Sequence, residues 1–275
     1  MMDAKAMTHS LRLDAKERDD LARDGFVVRR AVFDARERAA MAQDCEDLVG
    51  KLLARKRSAK HKMGSYMFEK DEELNTMVKW EPDDPDLVQG IEPFAHISKP
   101  LRDWGMDPRL VDPCKDLCGA DDLVLFTEKI NFKRARKGGP IILHQDYPYW
   151  APFAQMAPRV VTAMIFLDGA SRENGCLEVA PGTHREGVQK CWDEPGFRNR
   201  EIDTDLFDMA RLVPLEVPTG SIAFFGAFLV HRSLPNRSEK ERRALLYSYQ
   251  PAGNPHAREI PRPFKFQSET STARA

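Results

Sequence analysis

Long apolar runs are missing from this 275-residue sequence, and the opening twenty residues, MMDAKAMTHSLRLDAKERDD, are dominated by charge. A membrane-spanning helix needs roughly 18 or more consecutive apolar residues, so none is expected and the location reads as cytoplasmic. An excess of one charge sign is missing too, with 42 Lys and Arg against 43 Asp and Glu. Nucleic acid and anionic membrane surfaces, which attract strongly basic chains, are therefore not expected partners. A small-molecule substrate fits better. Cysteine is scarce and odd in number: Cys45, Cys114, Cys118, Cys176 and Cys191 make no disulfide framework. Cys114 and Cys118 have no second Cys or His pair at zinc-site spacing. No internal repeat is visible, and nothing in the sequence fixes the oligomeric state.

What is present has the texture of one catalytic domain spanning 1–275, since β-rich domains of this length commonly hold a single core. Residues 14–55 read as two helices, capped by Asp14 and Asp34, on either side of a strand-like GFVV. From 56 to 120 the chain is polar and without a settled period, so cover loops over an active site are expected. Between 121 and 255 short β-rich runs (LVLFTEKINF, PIILHQ, RVVTAMIFLD, CLEVA, ARLVPLEV, SIAFFGAFLVH, RALLYSYQ) alternate with turn signals such as KGGP, SRENG and PTG. Seven or eight such strands predict a sandwich, jelly roll or barrel: a mainly β fold with flanking helices. The 266–275 tail has little to bury and reads as flexible.

Two places carry chemistry. His144-Gln145-Asp146 follows the apolar run PIIL, and in extended backbone residues two apart share a face, so imidazole and carboxylate converge. His231 ends the run SIAFFGAFLV, after which a polar turn and a returning strand begin at Arg242-Arg243. Such a hairpin sets an arginine beside the histidine. Two His and one carboxylate hold Fe(II) on one face and leave three positions for a bidentate co-substrate and dioxygen. Arginine suits the far carboxylate of that co-substrate, because its planar fork grips both oxygens.

With DGFVV, HQD, FLDGASRENGCLEVAPGTHR and HRSLPNRSEKERRAL in this order, the sequence resembles the phytanoyl-CoA dioxygenase family of Fe(II)- and 2-oxoglutarate-dependent oxygenases. The resemblance implies a double-stranded β-helix, the cupin-like jelly-roll barrel. It also implies His144, Asp146 and His231 as metal ligands, and a 2-oxoglutarate anchor eleven residues past His231, at Arg242. Alternation puts Arg242 with Ala244, Leu246 and Ser248, and Arg243 with Leu245, Tyr247 and Tyr249; small neighbours favour Arg242, and a bulge would reverse the choice. Ser233, Thr162, Lys129 and Trp150 are further co-substrate candidates from the same resemblance, with Tyr147 and Tyr149 beside Trp150 at the pocket mouth. Ser233 reads equally well as a turn serine, the aromatics as core, and His184 as structural. The segment His61–Trp80 is the candidate for substrate specificity, and Lys79 and Arg159 for selecting a charged substrate. Retention of Asp146 favours hydroxylation of a C–H bond, with succinate and CO2 released, over halogenation. Desaturation, cyclisation and epimerisation stay open, as does a non-catalytic β-barrel binding protein.

Overall fold

The computed structural model describes residues 11–56, 58–63, 66–193 and 200–261; the expected flexible tail lies outside them. Helices α1 (Ala15–Asp24) and α2 (Ala35–Leu53) begin as the sequence suggests. Asp14 and Asp34 each accept a hydrogen bond from the backbone of a glutamate three residues on, Glu17 and Glu37, whose side chains bond back. These capping boxes satisfy amides that the first helical turn leaves without partners. Strand β1 (Phe26–Arg29) runs between the helices.

The polar stretch 56–120 is a correction. It is not cover loops but four strands, β2 (Lys60–Met63), β3 (Tyr66–Asp71), β4 (Thr76–Glu81) and β5 (Asp84–Glu92), then helices α3 (Lys99–Trp104) and α4 (Pro108–Cys118). Polar residues such as Glu69, Thr76, Glu81 and Gln89 are buried here, so apolar alternation, the signal by which strands are read, is interrupted.

The remaining strands are β6 (Leu123–Lys133), β7 (Ile141–His144), β8 (Val161–Phe166), β9 (Leu177–Val179), β10 (Val213–Leu215), β11 (Ser221–Gly226), β12 (His231–Ser233) and β13 (Arg242–Pro251), with a one-turn helix α5 (Tyr147–Trp150) after β7. They form a nine-stranded sheet ordered β1-β11-β8-β13-β6-β5-β4-β3-β2 and a four-stranded sheet ordered β10-β9-β12-β7. Alternation divides the large sheet. Ile165, Phe224, Leu245, Tyr247 and Tyr249 point outward against Met41, Cys45 and Leu48 of α2, Leu101 of α3 and Leu110 and Cys114 of α4. Met164, Phe166, Ala223, Phe225 and Ala244 point inward against Leu177 and Val179 of the small sheet. Each fully buried Leu- or Phe-sized side chain contributes about 1.5–3 kcal/mol. Tyr247 and Tyr249 also donate hydroxyl hydrogens to the carbonyls of Leu101 and Gly105, tying α3 to the sheet.

The expected hairpin from His231 to Arg242 does not form. SIAFFGAFLVH is two strands: β11 ends at Gly226 in the large sheet, and the chain crosses so that β12 pairs with β7 and β9 in the small one. β13 pairs with β6 and β8 instead. His231 and Arg242 therefore approach the interior from opposite sheets. Among the described residues, no helix is long and apolar enough to cross a membrane.

Candidate metal centre

His144 and His231 are directly opposite each other in the antiparallel β7–β12 pair, with ring centroids 4.2 Å apart. Asp146 joins them by a route that strict strand alternation does not describe. β7 ends at His144, and Asp146 takes a helical conformation as the residue before α5. Its carboxylate makes no helix-capping bond, which leaves it for the centre; Oδ1 lies 3.7 Å from His144 Nε2. Ligand atoms of the three residues all fall within 4.8 Å of one another, and they are the one such group of His, Cys, Asp and Glu among the described residues.

The imidazoles are oriented alike. His144 Nδ1 lies 2.7 Å from the Ile142 carbonyl and His231 Nδ1 2.9 Å from that of Leu229, each two residues back. A carbonyl only accepts, so Nδ1 carries the hydrogen and Nε2 presents a lone pair, the arrangement of a metal-binding histidine. Burial, with His144 adding to it, pushes His231 down to about 4, so it is neutral at pH 7. Burial pushes the Asp146 carboxyl the other way, but the neighbouring His144 and His231 outweigh it and hold Asp146 at about 2. Two imidazoles turned with Nδ1 to backbone carbonyls and an ionised carboxylate are the donor set for Fe(II), with three positions left open.

Gln145, the middle residue of the motif, is fully buried and points the other way. Its amide donates to the carbonyls of Gly187 and Phe228 and accepts from the Gln189 amide, pinning the turn between the two flanking ligands. Nothing in the sequence marks that role.

A cavity of about 640 Å³ opens from the three ligands, of the size that holds a substrate beside a co-substrate. Arg242, buried to 1% exposure, lines it from β13 and donates to the Gly175 carbonyl at 2.7 Å; its Nε finds no partner among the described residues. Burial pushes this guanidinium down to about 10. Arg243 faces outward and is bound by Asp168 at 2.8 and 2.9 Å. The two arginines thus face opposite ways, as strand alternation requires, although the partner strand slips register farther along, at Ser248/Tyr249. Gly175 sits at φ +75°, where an added Cβ would meet the Leu234 carbonyl at 2.2 Å, so the position requires glycine.

Ser233, Lys129, Trp150 and Tyr149 line the cavity as expected. Lys129 is paired with Glu92 at 3.3 Å, and Trp150 packs edge-on to Phe126. Thr162 shares the inward face of β8 with Met164, but its hydroxyl is bonded to Ser248 at 2.8 Å and it is not among the residues that line the cavity. Tyr147 stacks on Phe228 away from the cavity. Arg159 is structural as well, donating to the carbonyls of Cys118 and Gly119 at the end of α4. His184 packs against Gly25, which has no room for a Cβ there. Sequence reasoning missed Asn131 and Glu92, which line the cavity from β6 and β5, and Lys133, buried beside Arg242 with its ammonium donating to the Gly139 and Leu234 carbonyls.

Residues 21–244 match the family model described as Phytanoyl-CoA dioxygenase (PhyH). The chain belongs to the phytanoyl-CoA dioxygenase family. Its similarities within and around that family include L-proline trans-4-hydroxylase from Streptomyces griseoviridis, 32% identical over 57% of this chain and 65% of that protein. Matches to the first curated relatives span between 50% and 65% of their length. Among solved structures, EctD from S. alaskensis with 2-oxoglutarate and 5-hydroxyectoine superposes with a TM-score of 0.69 at 21% identity, over 91% of this chain and 80% of that one. The non-heme alpha ketoglutarate dependent carbocyclase SnoK from nogalamycin biosynthesis gives 0.65 at 20% identity, over 90% and 87%. At these identities the likeness is one of fold. It establishes a mixed α/β architecture with a double-stranded β-helix-like core, as the sequence resemblance implied.

Proposed function

We propose that the protein is an Fe(II)- and 2-oxoglutarate-dependent dioxygenase, one catalytic domain that hydroxylates a C–H bond of a small-molecule metabolite. The observation that carries this reading is the convergence of His144, Asp146 and His231 inside the same cavity as the under-partnered guanidinium of Arg242. A zinc hydrolase would use the three ligands but has no need of Arg242. Family membership supports the same cofactors.

His144 Nε2, His231 Nε2 and an Asp146 oxygen would hold the iron. The Leu229 and Ile142 carbonyls fix the rings before any metal arrives, so little ordering remains to be done on binding. Arg242 would grip the far carboxylate of 2-oxoglutarate, with the Gly175 carbonyl fixing the fork and Ser233 of β12 lining the same cavity. When bound, iron and 2-oxoglutarate supply the oxidising chemistry: dioxygen is consumed, 2-oxoglutarate leaves as succinate and CO2, and one oxygen atom goes to the substrate. The chain's own share is to place the substrate carbon against that centre and keep bulk water out, a task for Trp150, Phe153 and Tyr149 at the wall.

Desaturation, ring closure or epimerisation would use the same ligand set, with the substrate held differently. Retention of Asp146 supports oxygen transfer over halogenation, and retention of all three ligands together with Arg242 weighs against a non-catalytic barrel. The test is succinate formation from 2-oxoglutarate with and without added Fe(II), in wild type and His231→Ala. Iron-dependent succinate that disappears in the variant supports the reading; iron-independent or unchanged turnover overturns it.

A further inference from the structure

The cavity floor is one face of the large sheet, and its register sets Ala244, Asn131, Gly90, Lys79 and Phe68 in a single row across β13, β6, β5, β4 and β3. In the middle of that row Gly90 lines the cavity without a side chain. A Cβ there would lie 2.9 Å from the Ile130 carbonyl, 3.4 Å from Asn131 Oδ1 and 3.9 Å from Lys79 Cβ, so the strand backbone itself forms the floor beside Lys79.

Three of the six lysines and arginines lining this cavity already have a carboxylate: Lys70 has Glu72, Lys129 has Glu92 and Arg258 has Glu259, while Arg242 is the 2-oxoglutarate anchor of the proposed function. Lys79 differs. Its ammonium rests 3.3 Å from the centre of the Tyr66 ring and meets no carboxylate or hydrogen-bond acceptor among the described residues. Burial, reinforced by Lys129 and Lys133, disfavours its charged form. A half-buried ammonium without a counter-ion carries a desolvation cost, which an aromatic face offsets by about 0.5–2 kcal/mol. An anionic ligand removes that cost.

2-Oxoglutarate held by Arg242 is not that anion. Arg242 on β13 and Lys79 on β4 are separated by three strand spacings, about 14 Å at 4.8 Å each, and by two residues along the strands. A five-carbon diacid chelated at the centre and anchored on Arg242 does not extend to the far side of the floor.

We propose that Lys79, backed by Tyr66 and set beside Gly90 on the cavity floor, anchors an oxyanion of the primary substrate, a carboxylate or a phosphonate or phosphate group, and so selects acidic small molecules. This rests on the oxygenase reading of the same cavity. The aromatic wall takes the apolar remainder of the molecule.

The probes are methylphosphonate, acetate and neutral acetamide, added to protein saturated with 2-oxoglutarate and redox-silent Zn(II). Binding is read by ligand-observed NMR and by calorimetry in two buffers of different ionisation heat. The expected result is saturable binding of at least one anion with proton uptake, no binding of acetamide, weakening by about tenfold or more in Lys79→Met and recovery in Lys79→Arg. Preference for methylphosphonate points to a phosphonate or phosphate substrate, and preference for acetate to a carboxylic acid. Neither anion binding at up to about 100 mM, equal binding by Lys79→Met, or displacement of the anion by 2-oxoglutarate one for one would each overturn the proposal. Iron-dependent succinate formation by the wild type is measured on the same preparation. Its failure refutes the oxygenase reading without touching the anion result, so the two failures are distinguishable.

Discussion

Replacing Arg242 by Met should weaken 2-oxoglutarate binding and strengthen the empty fold at the same time. In the ligand-free chain this guanidinium is buried, has one carbonyl partner and an idle Nε, and sits beside the second buried cation Lys133. Its fall from 12.5 to about 10 corresponds to roughly 3 kcal/mol against the cation. Exchanging a buried charge for an apolar side chain of similar length is typically neutral or stabilising by about 1–4 kcal/mol. The ligand complex behaves oppositely. Removing one partner of a buried, hydrogen-bonded charge pair costs about 2–5 kcal/mol, which is about 30-fold to several thousand-fold in the dissociation constant. Urea unfolding of the ligand-free proteins and calorimetric titration with 2-oxoglutarate measure the two sides. A variant that binds 2-oxoglutarate within threefold of wild type, or that loses more than about 2 kcal/mol of stability, would refute the reasoning.

Arg243→Ala, one residue along, should leave 2-oxoglutarate affinity within about threefold while costing about 1–2 kcal/mol, because its bonds to Asp168 lie outside the barrel. His231→Ala should abolish iron-dependent turnover, since two ligands remain; near-normal turnover in the succinate assay would remove the triad assignment. Gln145→Leu strands the Gly187 and Phe228 carbonyls and the Gln189 amide, so a loss of about 2–4 kcal/mol and weaker iron binding are expected in melts and metal titrations. The metal-free protein should also lose stability as acid is added. His231 has a folded value near 4 against about 6.5 unfolded, so its neutral form stabilises fully above pH 6.5, and about 3 kcal/mol is lost as pH falls to 4. Asp146, at about 2 when folded, adds a further loss between about pH 4 and 2. Urea melts of wild type and His231→Asn across this range should differ in slope.

The barrel strands from Leu123 onward, both capped N-terminal helices and the metal ligands were legible because each depends on local rules: alternation, cap chemistry and the HQD spacing. Long-range pairing was not. β11 and β12 form one apolar run, and only the sheet change at Gly226 separates them, so His231 and Arg242 read as hairpin neighbours while they face each other across the barrel. Strands β2–β5 escaped notice because their inward face is the cavity floor, where Lys70, Lys79 and Glu92 replace the apolar residues that alternation looks for. The bond between the Thr162 hydroxyl and Ser248 was likewise not legible, because it depends on the pairing of β8 with β13.

The central claim is that the triad and Arg242 act together on one iron and one 2-oxoglutarate. Anaerobic visible absorption of the purified protein tests it without knowledge of the substrate. A weak band that appears only when Fe(II) and 2-oxoglutarate are both present, and that is lost in His231→Ala, is the predicted result. No band, with iron shown not to bind, would contradict the account and leave a barrel without oxygenase chemistry.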